Sequence, residues 1–320
     1  MRKVDPNMAI VGPDLSEYDH DIMNELTDTN VPGTDICGPY TDTTGTLRYH
    51  LDIIDFHTYP FDAAGRTRAE IIAKPQGDFE DNVTALKGLV INCNTVHERT
   101  TGTDPHPLKM AVTETNLEYE HPLLDPMNPN SEPDLRPEGL SAQSFLAGQY
   151  WADIMNVGMK HGLEFIAFWS VKEGDPQLGY IAGDANTKLS TYYHYQMLAQ
   201  NFRGVYAAGT SNTSNVTAFG AKDHDQIVVM LLNQNDNTTN PTPLAYTVTL
   251  NNSVSGTTNA LQVQIDAGVN AVYNSRTGGE LAPESTVMLV FSSKGSILLR
   301  RHVYALSNAQ SETAPAVFFQ

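Results

Sequence analysis

Met110-Ala111-Val112-Thr113-Glu114-Thr115-Asn116 is a short apolar run that turns polar at its far end. Such a run between turn signals describes a buried strand, and this one delivers the carboxylate of Glu114 at its C-terminal end. Two more runs of the same kind flank it. Leu51-Asp52-Ile53-Ile54-Asp55-Phe56-His57-Thr58-Tyr59-Pro60 precedes it, and Leu163-Glu164-Phe165-Ile166-Ala167-Phe168-Trp169-Ser170 follows. Helix-like segments separate the three, and each ends in side chains capable of chemistry. Strands that alternate with helices predict a parallel sheet, and polar groups gathered at C-terminal strand ends predict the working face of a β/α barrel.

The intervening segments support that pattern. Ala9 to Asp14 reads as a short strand stopped by Gly12-Pro13. From about Phe79 to Val96, Val83, Leu86, Leu89 and Val90 recur at helical spacing, as a crossover before the Glu114 strand requires. A longer helix is expected from Ser141 to His161, capped by Ser141 and ended by Gly162, with Phe145, Leu146, Ile154, Met155 and Met159 in its apolar stripe. Another is expected from Ser190 to Gln200. The Pro-rich stretch Glu120 to Pro137 reads as a long loop directly after the Glu114 strand, on the face where barrels build clefts.

Near Asn201 the texture changes. Helical periodicity gives way to short runs separated by Asn-, Gly-, Ser- and Thr-rich turns, among them Gln226 to Leu232, Tyr246 to Leu250, Leu261 to Ile265 and Val287 to Phe291. That pattern predicts an antiparallel β-sandwich. The expected class is therefore α/β plus all-β, with a barrel-like part at 1–202 and a sandwich at 203–320.

Composition excludes several functions. With 19 Lys and Arg against 37 Asp and Glu, the formal charge is −18, which disfavours a nucleic-acid partner because phosphate binding needs clustered cations. A neutral or weakly charged substrate suits it better. No apolar run reaches the ~18 residues that a membrane span needs, and Met1-Arg2-Lys3-Val4-Asp5-Pro6 has no signal-peptide core. Cys37 and Cys93 are too few for a disulfide scaffold and lack zinc spacing; they either pair or remain buried thiols. No cofactor is implied and no metal set stands out, Asp223-His224-Asp225 being the one cluster placed to hold a surface cation. The sequons at Asn82, Asn212, Asn215, Asn237 and Asn251 matter only in a eukaryotic secretory pathway.

Glu114 is the candidate catalytic carboxylate, because barrel strand ends converge on one cleft. The competing reading is an acid that caps the following loop. His57 and Tyr59 end the preceding run, where an imidazole or phenol can hydrogen-bond a carboxylate and keep it ionised. Trp169 ends the following run, and an indole face can stack on the apolar face of a sugar ring. Structural hydrogen bonding and core packing are the alternatives for these three.

Asp55-Phe56-His57-Thr58-Tyr59-Pro60, Thr113-Glu114-Thr115-Asn116 and Phe168-Trp169-Ser170 together resemble strands six, seven and eight of the retaining glycoside hydrolases built on a (β/α)8 barrel, the clan that includes families 39, 44, 51 and 86. Leu178-Gly179-Tyr180 and Tyr192-Tyr193-His194-Tyr195-Gln196-Met197-Leu198 resemble the last loop and helix of such barrels, which often continue into a β-sandwich. The resemblance covers about residues 1 to 200. It implies that Glu114 is the nucleophile, that Trp169 floors a sugar subsite, and that His57 or Tyr59 stands beside the nucleophile. It also implies a carbohydrate substrate and a secreted or cell-surface location.

The opening Lys3 to Pro13 resembles the end of helix four and strand five, so strands one to four have no counterpart. The clan's acid/base is a glutamate after an asparagine at the end of strand four, and no Asn-Glu pair occupies that place; Asn24-Glu25 lies beyond strand five. The expectation is the C-terminal half of a barrel, strands five to eight, inactive alone. Its missing N-terminal half belongs to the same gene product or to a second chain. The alternative is a non-catalytic carbohydrate-binding or structural protein that reuses the fold.

Overall fold

The computed structural model describes residues 5, 8–31, 33–61, 65–102, 105–119, 134–173, 178–183, 186–255, 258–267, 279–292 and 297–319, with side chains described except at 247, 249, 251–255, 258–267 and 279. Most of the expected loop after Glu114, residues 120–133, lies outside them. In chain order the elements are β1 (Val11–Leu15), α1 (His20–Leu26), β2 (Pro39–Thr41), β3 (Leu47–Tyr49), β4 (Ile53–Thr58), α2 (Arg68–Ala73), α3 (Glu80–Val96), β5 (Lys109–Thr115), α4 (Phe145–His161) and β6 (Ile166–Phe168). After them come β7 (Lys172–Glu173), β8 (Ile181–Ala182), β9 (Thr187–Lys188), α5 (Ser190–Asn201), β10 (Val205–Ser211), β11 (Val216–Lys222) and β12 (Gln226–Asn233). The chain finishes with β13 (Leu244–Ser255), β14 (Thr258–Ala267), β15 (Gly279–Leu281), β16 (Ser285–Ser292), β17 (Leu298–Ala305), α6 (Leu306–Gln310) and β18 (Ala316–Phe319). The protein is thus mixed α/β, with a parallel sheet and antiparallel sheets.

Two compact units arise: Met1–Pro60, Gln76–Asn116 and Val157–Trp169 form the first, and Phe61–Pro75, Leu117–Asn156 and Ser170–Gln320 the second.

In the first unit, described strands form a parallel sheet in the order β1-β4-β5-β6. Ile54, Phe56, Ala111 and Val112 are fully buried in it because a parallel sheet is covered by its own crossover helices. The crossover α3 buries Val83, Leu86, Val90 and Cys93, the stripe its spacing requires, while Leu89 is half-buried. The close approach of α4 to β6 depends on Gly158, where a Cβ would lie 2.5 Å from Ile166 Cδ1. Two sequence expectations are corrected. β1 does not stop at Gly12-Pro13 but runs through to Leu15, absorbing the dipeptide in an irregular register. α4 begins at Phe145, not Ser141: Ser141 O closes a preceding turn with Ser144 N–H, and Ser144 Oγ caps the helix by accepting from Ala147 N–H at 3.1 Å. Gly162, at φ 78°, ends it as expected.

Cys37 and Cys93 form a disulfide that closes 56 residues of chain, joining the segment between α1 and β2 to α3. Arg99, fully buried, holds the same segment by donating to the carbonyl oxygens of His106, Cys37 and Leu51 at 2.8, 3.0 and 2.7 Å while lying 4.1 Å over the Tyr49 ring.

In the second unit, among the described residues, nine strands form one sheet in the order β15-β13-β14-β10-β11-β12-β16-β17-β18. β12 and β16 pair antiparallel and are buried along nearly their whole length, which is why their sequences read as unbroken apolar runs. Ile227, Val229 and Leu231 of β12 and Val287, Leu289 and Phe291 of β16 enter one core with Tyr246 and Val248 of β13 and Leu281 of β15. On the other face, Gln149 of α4 donates to Asn233 O, Ser285 O and Thr286 Oγ1 at 3.2, 3.0 and 3.3 Å, and His194 Nε2 of α5 meets Thr286 Oγ1 at 2.7 Å.

Burial holds the His194 imidazole neutral, lowering its pKa from 6.5 to about 4. Between these values the unfolded chain takes up a proton that the folded chain refuses, so stability falls as pH drops from 6.5 toward 4. The loss amounts to about 3 kcal/mol at 1.36 kcal/mol per unit. Unfolding midpoints measured from pH 8 to 4 are expected to fall less steeply in His194→Gln than in the parent. Parallel curves for the two proteins would assign the acid sensitivity to other groups.

Candidate functional site

Parallel pairing brings the C-terminal ends of β1, β4, β5 and β6 to one end of the sheet, and Asp14, His57, Tyr59 and Glu114 meet there. His57 pairs with Glu114 and Thr58 with Thr115. The Tyr59 hydroxyl donates to Glu114 Oε2 at 2.9 Å, and His57 Nδ1 lies 3.5 Å from the same oxygen. Both contacts fall on Oε2, and among the described residues none falls on Oε1. The Glu114 side chain is one-third exposed, 33%, whereas that of His57 is 15% exposed. The carboxylate is therefore oriented from one side and open to solvent on the other.

On its far side, His57 Nε2 meets Asp14 Oδ1 at 2.7 Å. Asp14, at the end of β1, has a left-handed backbone with φ 64°, a conformation that Asp tolerates better than most residues. Asp55 lies fully buried beneath this group. Its Oδ1 accepts from Asp14 N–H at 3.0 Å and its Oδ2 from the Thr113 hydroxyl. Burial pushes the Asp55 carboxyl above the usual carboxylate range; the Thr113 and Asp14 donors pull the other way, and the nearby Asp14 charge adds to the rise.

Trp169 follows β6. Its N–H donates to Thr115 O at 3.0 Å, and Asn116 Nδ2 donates to its carbonyl at 2.6 Å, so the backbone is tied to the end of the Glu114 strand while the residue is 45% exposed. The structure thus brings Glu114, His57 and Tyr59 into contact and sets Trp169 at the adjacent strand end. Asp14, Asp55, Thr113 and Asn116 join them unforeseen. Asp55 carried a signal, since residues 55, 57 and 59 alternate onto one face of a strand. Asp14 carried none.

An oriented, partly exposed carboxylate next to a phenol and an imidazole can act as a nucleophile or a base. Among the described residues no group of three or more His, Cys, Asp or Glu is arranged to hold a metal ion. In the Asp223-His224-Asp225 cluster, His224 and Asp225 are exposed and 3.9 Å apart. No helix among the described residues is long and apolar enough to cross a membrane.

No protein-family model matches the sequence, and no curated protein matches it. Solved structures do match. A family 30 endoxylanase from Clostridium papyrosolvens C71 is 13% identical with a TM-score of 0.43, over 90% of this chain and 57% of that one. A family 44 endoglucanase from Clostridium acetobutylium ATCC 824 is 14% identical with a TM-score of 0.48, over 91% of this chain and 58% of that one. A family 44 xyloglucanase from Paenibacillus polymyxa is 11% identical with a TM-score of 0.46, over 90% of this chain and 57% of that one. This chain therefore spans less than three fifths of the length of each of these three glycoside hydrolases.

Proposed function

We propose that this chain is the C-terminal part of a retaining glycoside hydrolase acting on a polysaccharide or oligosaccharide, with Glu114 as the nucleophile. The observation that carries the reading is the Tyr59 hydroxyl on Glu114 Oε2 at 2.9 Å with His57 beside it, at the ends of adjacent parallel strands. The Tyr59 O–H donor on one carboxylate oxygen fixes the rotamer, and Oε1 is left to attack an anomeric carbon. Trp169, half-exposed at the next strand end, offers an indole face for the sugar ring.

On this reading β1, β4, β5 and β6 are strands five to eight of a (β/α)8 barrel. The first four strands, with the acid/base glutamate, come from the remainder of the gene product or a second chain. Retention needs two carboxyl groups about 5 Å apart, one attacking and one protonating the leaving oxygen, and this chain supplies the first. The part beyond about residue 203 is a β-sandwich that serves as an ancillary module. The Cys37–Cys93 disulfide suits a secreted or cell-surface protein, because such bonds persist in oxidising compartments.

The test restores the N-terminal half and assays the completed protein on plant and algal polysaccharides, following product configuration by NMR. Hydrolysis with retention is expected. Inversion would remove Glu114 as nucleophile, and a completed barrel that binds sugars but cleaves none would be a binding or structural protein.

A further inference from the structure

β4 is regular, but both of its neighbours carry an extra residue over the last part of its pairing, β1 opposite Ile54–Phe56 and β5 opposite Phe56–His57. In β1, Gly12 pairs with Ile54 and Leu15 with Phe56, so three steps along β1 match two along β4. In β5, Val112 pairs with Phe56 and Glu114 with His57, so Thr113 is the extra residue. The same surplus recurs against β6, where Val112 pairs with Ile166 and Thr115 with Phe168. Bulges are rare between parallel strands, and they turn the following side chain to a new direction. Here Asp14 lies within the β1 irregularity and Glu114 directly follows the surplus residue of β5, and both belong to the candidate site.

Asp55 stands between the two irregularities and binds both. Its Oδ1 takes the N–H of Asp14 in the β1 irregularity at 3.0 Å, and its Oδ2 takes the hydroxyl of Thr113, the surplus residue of β5. A regular strand at these points would have no surplus residue to present those donors. Burying a carboxyl group without partners is costly, so Asp55 selects the bulged arrangement of both neighbours over the regular one. The consequence reaches Glu114 by two routes. Pinning Thr113 fixes the register in which Glu114, not Thr113, faces His57. Pinning Asp14 in its left-handed conformation sets the carboxylate that meets His57 Nε2 at 2.7 Å, and with it the ring whose Nδ1 faces Glu114.

We infer that Asp55 is a positioning residue for Glu114, acting through the Thr113 hydroxyl and the Asp14 backbone to hold the paired bulges that aim the carboxylate at the sugar. Its catalytic meaning rests on the proposed function above; its structural meaning does not, and the test separates the two. The Glu114 side-chain carboxyl carbon and the His57 ring nitrogens are followed by NMR in the isotope-labelled 320-residue chain, in the parent, Thr113→Val, Thr113→Ser, Asp55→Asn and Leu86→Ala. Thr113→Val removes the hydroxyl at nearly constant shape, and both resonances are expected to shift. Thr113→Ser keeps the hydroxyl and is expected to leave both in place. Leu86→Ala, a core truncation in α3, controls for lost stability and is expected to move neither. If Val and Ser give the same spectrum, or if Leu86→Ala moves the resonances as far as Thr113→Val does, the assignment is overturned. Asp55→Asn is expected to shift both, and parental resonances in that variant overturn it equally. In the completed protein, Thr113→Val is expected to lower kcat about 10²-fold, the scale of a misplacement near 1 Å, with little change in KM. These resonances report aim without turnover, so an inactive completed protein sinks the hydrolase reading while leaving the positioning result standing.

Discussion

Glu114→Gln in the completed protein is expected to lower kcat on the order of 10⁶-fold, the scale of losing a covalent nucleophile, while leaving the unfolding midpoint unchanged. The amide is isosteric, and its oxygen can still accept from Tyr59, whose hydroxyl donates to Glu114 Oε2 at 2.9 Å in the parent. What disappears is the oxygen that the proposed mechanism uses to attack. Tyr59→Phe removes only one hydrogen bond to a charged group, worth about 1.5–3 kcal/mol, and is expected to cost roughly 10- to 10²-fold. The ordering is the diagnostic feature. If Glu114→Gln lost no more than Tyr59→Phe, Glu114 would be a binding or structural acid and another group would carry the chemistry. The chain alone is expected to show no turnover, because a leaving alkoxide without a positioned acid forfeits about 10²–10⁴ in rate. Steady-state kinetics on the completed parent, its two variants and the chain alone, with thermal unfolding as the control, decide the matter.

The contacts of Glu114 were legible in the sequence because parallel strands place their C-terminal ends side by side. Once Leu51–Pro60 and Met110–Asn116 were read as neighbouring strands, His57 and Tyr59 had to end near Glu114. Asp55 was legible in principle from its two-residue spacing to His57. Asp14 was not, since its place depends on an extra residue in β1 beside Gly12-Pro13, where the pattern of alternation is lost and the strand was expected to stop. Thr113 was hidden for the same reason: a bulge changes register without changing composition. The cap of α4 lay beyond pattern reading too, because Ser141 and Ser144 are the same residue type and only the preceding turn decides between them. The cysteine pairing stayed open because no spacing rule links two residues 56 positions apart.

Cutting that disulfide is expected to cost the first unit about 4 kcal/mol of stability, from the loop-closure entropy of a 56-residue loop. The effect should act on the unfolded chain, because other ties hold the same segment in the folded one. Arg99 keeps its bonds to the carbonyls of Cys37 and Leu51, and His97 Nε2 meets Asp35 Oδ2 at 2.6 Å. These contacts involve the backbone of Cys37 or neighbouring side chains, and none uses a sulfur atom. Cys37→Ala/Cys93→Ala is therefore expected to keep the native fold and the Tyr59–Glu114 contact while unfolding at lower urea, with a larger m-value as the uncrosslinked unfolded chain expands. Fluorescence of Trp169 in a Trp151→Phe background reports the first unit, Trp151 and Trp169 being the only tryptophans of the chain. An unchanged midpoint would mean that the disulfide adds nothing beyond Arg99 and His97. A collapsed fold would mean that those contacts depend on the covalent bond and do not hold the segment without it.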